Sequence, residues 1–189
     1  MTPREAVSVI LLREGPEGHE VLLVERNPEQ RFMGGAWVFP GGATHAEDGS
    51  LEATGRRELE EEAGVRLPPD ADFVPFSRWI TPVEVPVRFD TWFFAVEAPE
   101  GTVAEPDGSE CVDARWLRPS EALAARGRGE LKLVFPTIKH LELLDATQGV
   151  GATLAAARAR EVEPVLPKVV EREGVPAVLL PGEPGYEDA

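Results

Sequence analysis

The segment that most constrains this chain is "SLEATGRRELEEEAGV", residues 50–65, where four glutamates crowd into the end of one short stretch. Ser50 stands where a helix N-cap belongs and Gly64 follows the last helix-favouring residue, so the spacing predicts a helix of about four turns with a glycine C-cap. On that helix Glu58, Glu61 and Glu62 lie at i, i+3 and i+4 and share an arc of about 100°. Leu59 and Ala63 fall on a neighbouring stripe suited to a core, so the acidic face borders buried structure; Glu60 leaves the arc for the surface. Three carboxylates held beside a core repel one another unless a cation offsets them. Hard divalent cations take oxygen ligands, which makes Mg2+ the natural candidate. The alternative is an ordinary solvated helix face.

Composition narrows what such a helix can serve. The chain has 189 residues, 42% of them hydrophobic, enough for one core of ordinary size and a terminal appendage. Its 34 acidic residues stand against 19 basic ones. That balance argues against a nucleic-acid binder, which gains affinity by setting Lys and Arg against phosphates, and against docking on an anionic membrane. A small anionic substrate is compatible only if bound cations reverse the local field. Cys111 is the single cysteine, so neither an intrachain disulfide nor a cysteine metal site is expected. The apolar run near the N-terminus is too short for a signal-peptide core or a membrane span, and a cytoplasmic protein is expected.

Strands are expected at "AVSVILL" (6–12), "EVLLVER" (20–26), "AWVF" (36–39), "FVPFSRWI" (73–80), "RFDTWFFAVE" (88–97) and "ARWL" (114–117). "REGPEGH" reads as the loop between the first two, and Pro40, Gly41 and Gly42 as a turn before the acidic helix. Ser120 is expected to cap a short helix through Ala125. Ile138, Leu141 and Leu144 recur at spacings of three within an amphipathic helix over 135–148. Strands dominating the first two thirds, with helices following, predict an α/β chain with a mixed sheet flanked by helices. Residues 1–149 form the expected domain. Residues 150–189 are an Ala/Arg helix and a proline-punctuated arm, with two short apolar runs about a Glu-Gly turn, that packs on the domain or on a second subunit.

The whole nonapeptide from Arg57 to Val65, Arg-Glu-Leu-X-Glu-Glu-X-Gly-Val, should arise by chance in about one chain of this length in 10⁵. Together with the upstream Gly-Gly it resembles the signature of the Nudix hydrolases: Gly, five residues, Glu, seven residues, then this nonapeptide. The first half departs from the pattern. Gly49 stands where the family has Glu, and the loop from Gly42 carries one extra residue; Glu47 and Asp48 are both near enough to substitute. The resemblance implies the Nudix fold, an α/β/α sandwich, and an enzyme that splits a diphosphate linked to another moiety. It implies Glu58 and Glu62 as principal metal ligands, assisted by Glu61 and a backbone carbonyl of the Gly41–Gly42 pair, with Mg2+ or alternatively Mn2+ as cofactor. Arg57 would orient the glutamates. A later carboxylate completes catalysis in such enzymes; Glu105, Asp107, Glu110 and Asp113 are offered here, and Glu110 is favoured because it lies just before a predicted strand.

Outside that box, "RFMGGAWVFPGG", "RWITP", "RFDTWFFAV", "RWLRPSEAL" and "LVFPTIKHLELL" are similar to the coenzyme A diphosphatase branch of the family. The resemblance therefore implies coenzyme A or its acyl esters as substrate, with ADP-ribose, NADH and nucleotide sugars as competitors. Arg26, Arg31, Arg78 and Arg88 are candidates for binding substrate phosphates, and Trp79, Phe89, Trp92 and Phe93 for stacking a base. Family members often dimerise, so a homodimer through the tail is an expectation. From other classes, a Nudix-fold binding module without catalysis or a purely structural acidic helix compete with the enzyme; the second leaves the Gly-Gly spacing and Arg57 unexplained.

Overall fold

The apolar run near the N-terminus is buried on both faces, as a strand sandwiched between two helical layers must be. The computed structural model describes residues 2–172 and 174–188. Strand β1 (Arg4–Gly15) pairs antiparallel with β2 (Gly18–Arg26), Gly15 opposite Gly18, so only Pro16 and Glu17 turn. "REGPEGH", expected as a loop, is mostly strand. After β3 (Ala36–Val38) comes β4 (Gly41–Ala43), which lies antiparallel along β1 with Gly42 opposite Val7. The two glycines expected in a turn are thus held by sheet hydrogen bonds.

Helix α1 (Leu51–Ala63) has the predicted caps: the Ser50 hydroxyl accepts from the Ala53 amide, and Gly64 closes it at φ 65°. Strand β5 (Val74–Ile80) leads to β6 (Phe89–Glu97), which runs parallel to β1, and β7 (Cys111–Leu117) pairs with β2. Helix α2 (Pro119–Gly127) is capped by Arg118 with no side-chain cap bond, so the expected Ser120 cap is wrong: Pro119 takes the first helical position and leaves Ser120 inside the helix. Strand β8 (Lys132–Leu133) and helices α3 (Phe135–Asp145) and α4 (Val150–Arg158) follow. On α3 the buried residues are Thr137, His140, Leu141 and Leu144, with Ile138 only half-buried. Strand β9 (Pro164–Val165) joins the sheet beside β5, and β10 (Lys168–Arg172) with β11 (Val175–Leu179) makes a separate antiparallel hairpin. Glu173, in the expected Glu-Gly turn, lies outside the described residues.

The sheet is mixed, in the order β8-β3-β2-β1-β6-β5-β9, with β4 and β7 pairing off this path. Val7, Val9 and Leu11 of β1 pack with Leu59 and Ala63 of α1 on one face. Ile10 and Leu12 pack with Ala122, Leu141, Val150 and Leu154 from the other three helices on the opposite face. Period-two alternation of a continuously apolar strand therefore builds two cores, and an α/β/α sandwich results. Among the described residues no helix is long and apolar enough to cross a membrane.

Cys111 opens β7 fully buried, and that burial drives its thiol pKa far above the ordinary range. We expect the native protein to leave a thiol reagent unreacted at pH 8 while the denatured chain consumes one equivalent, read by absorbance.

Candidate active site

The acidic face of α1 opens onto a cleft of about 630 Å³. Arg26, Gly41, Gly42, Arg57, Glu58, Glu61, Glu62 and Glu110 line it together with the apolar side chains of Ile80, Pro82, Val85, Phe89 and Phe93, among others.

Arg57 organises the acidic side. Its guanidinium donates two hydrogen bonds to Asp48 (2.9 and 3.0 Å), one each to Glu58 and Glu61 (2.8 Å), and one to the Ala43 carbonyl (3.0 Å). This is the planar fork for which arginine is suited and lysine is not. Asp48 also accepts from the His45 amide and the Thr54 hydroxyl, and its hydrogen bonds, led by the Arg57 pair, hold its carboxyl well below the usual range. Asp48 is therefore the carboxylate that meets Arg57, while Glu47 is exposed. Gly49 explains the displaced spacing: its φ of 75° lies in the left-handed region, where a glutamate would be strained, so the turn places the acid one residue earlier.

Glu58 and Glu62 are only 7% and 2% exposed. Burial raises the pKa of both, that of Glu62 to about 7, despite a 2.8 Å hydrogen bond from the Gly41 amide. Arg26 approaches Glu62 at 3.8 Å and donates to Gln30 at 2.5 Å, while its buried Nε has no hydrogen-bond partner among the described residues. Gly42 is needed for space: a Cβ there would overlap the Glu58 carboxylate, with Cδ 2.7 Å away. Gly42→Ala is expected to displace Glu58 and lower turnover at least about tenfold while leaving the circular dichroism spectrum unchanged.

The donor set fits a hard divalent cation. Asp48, Glu58, Glu61, Glu62 and Glu110 face Arg26 and Arg57, with Arg4 also lining the cleft, which leaves two uncompensated negative charges when all are ionised. Among the described residues no three His, Cys, Asp or Glu side chains close round one point. Arg57 draws Glu58 and Glu61 toward itself, and the Gly41 amide holds Glu62.

Of the four candidate carboxylates, three in the loop before β7 and Asp113 within β7, Glu110 reaches the cleft. Asp107 instead shapes the loop, accepting from the amides of Ser109, Glu110 and Cys111. Glu105 hydrogen-bonds through its amide to the Ala63 carbonyl, and Asp113 pairs with Arg115. Among the candidate arginines only Arg26 lines the cleft. Arg31 is exposed outside it, Arg78 spends its fork on Asp90 at 2.8 and 2.6 Å, and Arg88 donates to the Thr81 carbonyl. Trp79, Phe89 and Phe93 line the cleft, whereas Trp92 stacks on Phe94 away from it. Arg4, Pro167, Val169 and Val178 also line it. No local pattern marked them, because their place depends on strand pairings distant in sequence.

Residues 2–138 match the NUDIX domain family. The chain is similar to the NUDIX hydrolase from Alicyclobacillus acidocaldarius, with 25% identity and a TM-score of 0.73 over 82% of this chain and 96% of that one. It is 25% identical, over 98% of its length and 75% of the relative's, to a Caenorhabditis elegans protein carrying the provisional name nudix hydrolase 7. The NUDIX domain of Shewanella oneidensis NrtR, solved with ADP ribose, shares the fold at a TM-score of 0.59 and 20% identity over 85% of this chain and 90% of that one.

Proposed function

The chain belongs to the NUDIX domain family, and from that membership we propose a Mg2+-dependent hydrolase that cleaves the diphosphate of a nucleoside diphosphate linked to another moiety, with coenzyme A or its acyl esters preferred. The observation that carries this reading is the pair Glu58 and Glu62, nearly buried one helical turn apart, both facing a cleft and one of them held by Arg57. Glu58, Glu61, Glu62 and the Gly42 carbonyl are the groups that would hold the ion. When bound, Mg2+ or Mn2+ supplies the positive charge that offsets the diphosphate and raises the acidity of water.

The protein's own residues have separate tasks. Arg57 fixes the rotamers of Glu58 and Glu61, so the carboxylates need not reorganise as charge develops. Arg26, which lines the cleft with its Nη1 3.8 Å from Glu62, would donate to a phosphate oxygen there. Glu110 would accept the proton of the attacking water.

Coenzyme A is supported by the phrases outside the box. ADP-ribose is the second reading, favoured by the ligand of the NrtR domain. Phosphate-ester products should be followed across coenzyme A, an acyl ester, ADP-ribose, NADH and a nucleotide sugar, with and without Mg2+. Release of 4′-phosphopantetheine is the expected result, and AMP with ribose 5-phosphate would select the second reading. No turnover of any compound, with Glu62→Gln indistinguishable from the native protein, would make this a binding module.

A further inference from the structure

The family match ends at residue 138, yet the cleft does not. Pro167, Val169 and Val178 of the C-terminal arm form part of its wall, and Val169 and Val178 are direct cross-strand partners whose side chains leave the hairpin on one face. The hairpin is fastened on both sides. Before it, β9 pairs with β5 through Arg78–Pro164 and Trp79–Val165. After it, Leu180 packs against the core that holds α2–α4, and the Tyr186 hydroxyl donates to the Leu166 carbonyl at 2.7 Å. Ile80, Pro82 and Val85 line the same cleft, and none of these side chains offers a hydrogen bond; the Thr81 hydroxyl among them accepts from the Phe89 amide.

We infer that Val169 and Val178 determine specificity: they receive the substrate arm beyond the diphosphate and select an aliphatic arm over a second ribose or sugar. The inference rests on the diphosphate reading above and names its substrate class. A sugar's hydroxyls set against this wall would lose water without gaining partners, whereas each methylene buried there is favourable.

The test is binding of alkyl esters of α,β-methylene-ADP, methyl to octyl, to the full chain with Mg2+, followed by calorimetry. Affinity is expected to rise about two- to fourfold per methylene that reaches the wall. In Val169→Asp, and in the milder Val178→Ser should the first variant fold poorly, the gain across the series is expected to collapse to about threefold or less. A flat series in the native protein, no binding of the octyl ester, or variants that keep the native chain-length dependence would overturn the inference. Length-dependent binding without turnover of the hydrolysable esters would overturn the hydrolase reading alone; turnover with a flat series would overturn the role of the hairpin alone.

Discussion

Replacing Glu62 by glutamine is expected to lower turnover about 10²- to 10³-fold, the range for removing one charge-stabilising group from a preorganised site, and to stabilise the metal-free protein above pH 7. The second effect follows from burial. Glu62 is raised from 4.5 to about 7 in the folded chain, so the stability it contributes is full below pH 4.5 and is lost as pH rises through 7. The loss is on the order of 3 kcal/mol. His140 works in the opposite sense: fully buried, stacked on Phe93 at 4.1 Å and donating from Nδ1 to the Pro136 carbonyl, it is lowered from 6.5 to about 4. Its neutral form stabilises the fold above pH 6.5, and that stability is lost as pH falls toward 4. In the native protein the two slopes oppose each other across pH 4.5–6.5. Glu62→Gln should therefore expose the His140 slope, with a melting temperature that climbs more steeply from pH 4 to 7 than the native one. Calorimetric melts in chelator at half-unit pH steps measure this, and parallel profiles for the two proteins would contradict the assignment.

Arg57→Gln is expected to cost both activity and stability, because one side chain holds Asp48, Glu58, Glu61 and the Ala43 carbonyl together. Removing one partner of a buried pair costs about 3–5 kcal/mol; Arg57 is partly exposed, so the lower end applies, a fall in melting temperature of roughly 5–10 °C. Turnover should fall about 10²-fold or more, with a higher Mg2+ requirement, as Glu58 and Glu61 lose their fixed rotamers. Arg57→Lys should recover little, since an ammonium cannot make the two-pronged bond to Asp48. Full activity in the lysine variant would mean that charge alone suffices. Asp48→Asn should follow Arg57→Gln in direction, and the double variant should be less than additive because both remove one interaction. Glu47→Gln should change nothing measurable.

Helix α1 was legible in the sequence down to its caps and its acidic arc, because a helix relates residues three and four apart and those neighbours stand together in the chain. The short apolar runs of β1 and β6 were legible as strand, but not the two cores that their alternating side chains serve. Arg78 looked free as a phosphate binder only while its partner was unknown; antiparallel pairing of β5 with β6 sets Asp90 beside it. Gly41 and Gly42 read as a turn because glycine pairs mark turns, and the edge of β1 instead recruits them as a strand, which aims the Gly41 amide at Glu62.

The sequence by itself determined that three glutamates share a helix face, that Arg57 accompanies them, and that a family signature surrounds both, since each relation spans a few residues on one element. Tertiary structure alone decided that Asp48 and not Glu47 takes Arg57, that Glu110 among four carboxylates reaches the cleft, and that valines from the end of the chain wall it. Those outcomes depend on strand register and on the left-handed turn at Gly49, where a shift of one residue turns a side chain to the opposite face, and no local pattern in the sequence encodes that choice.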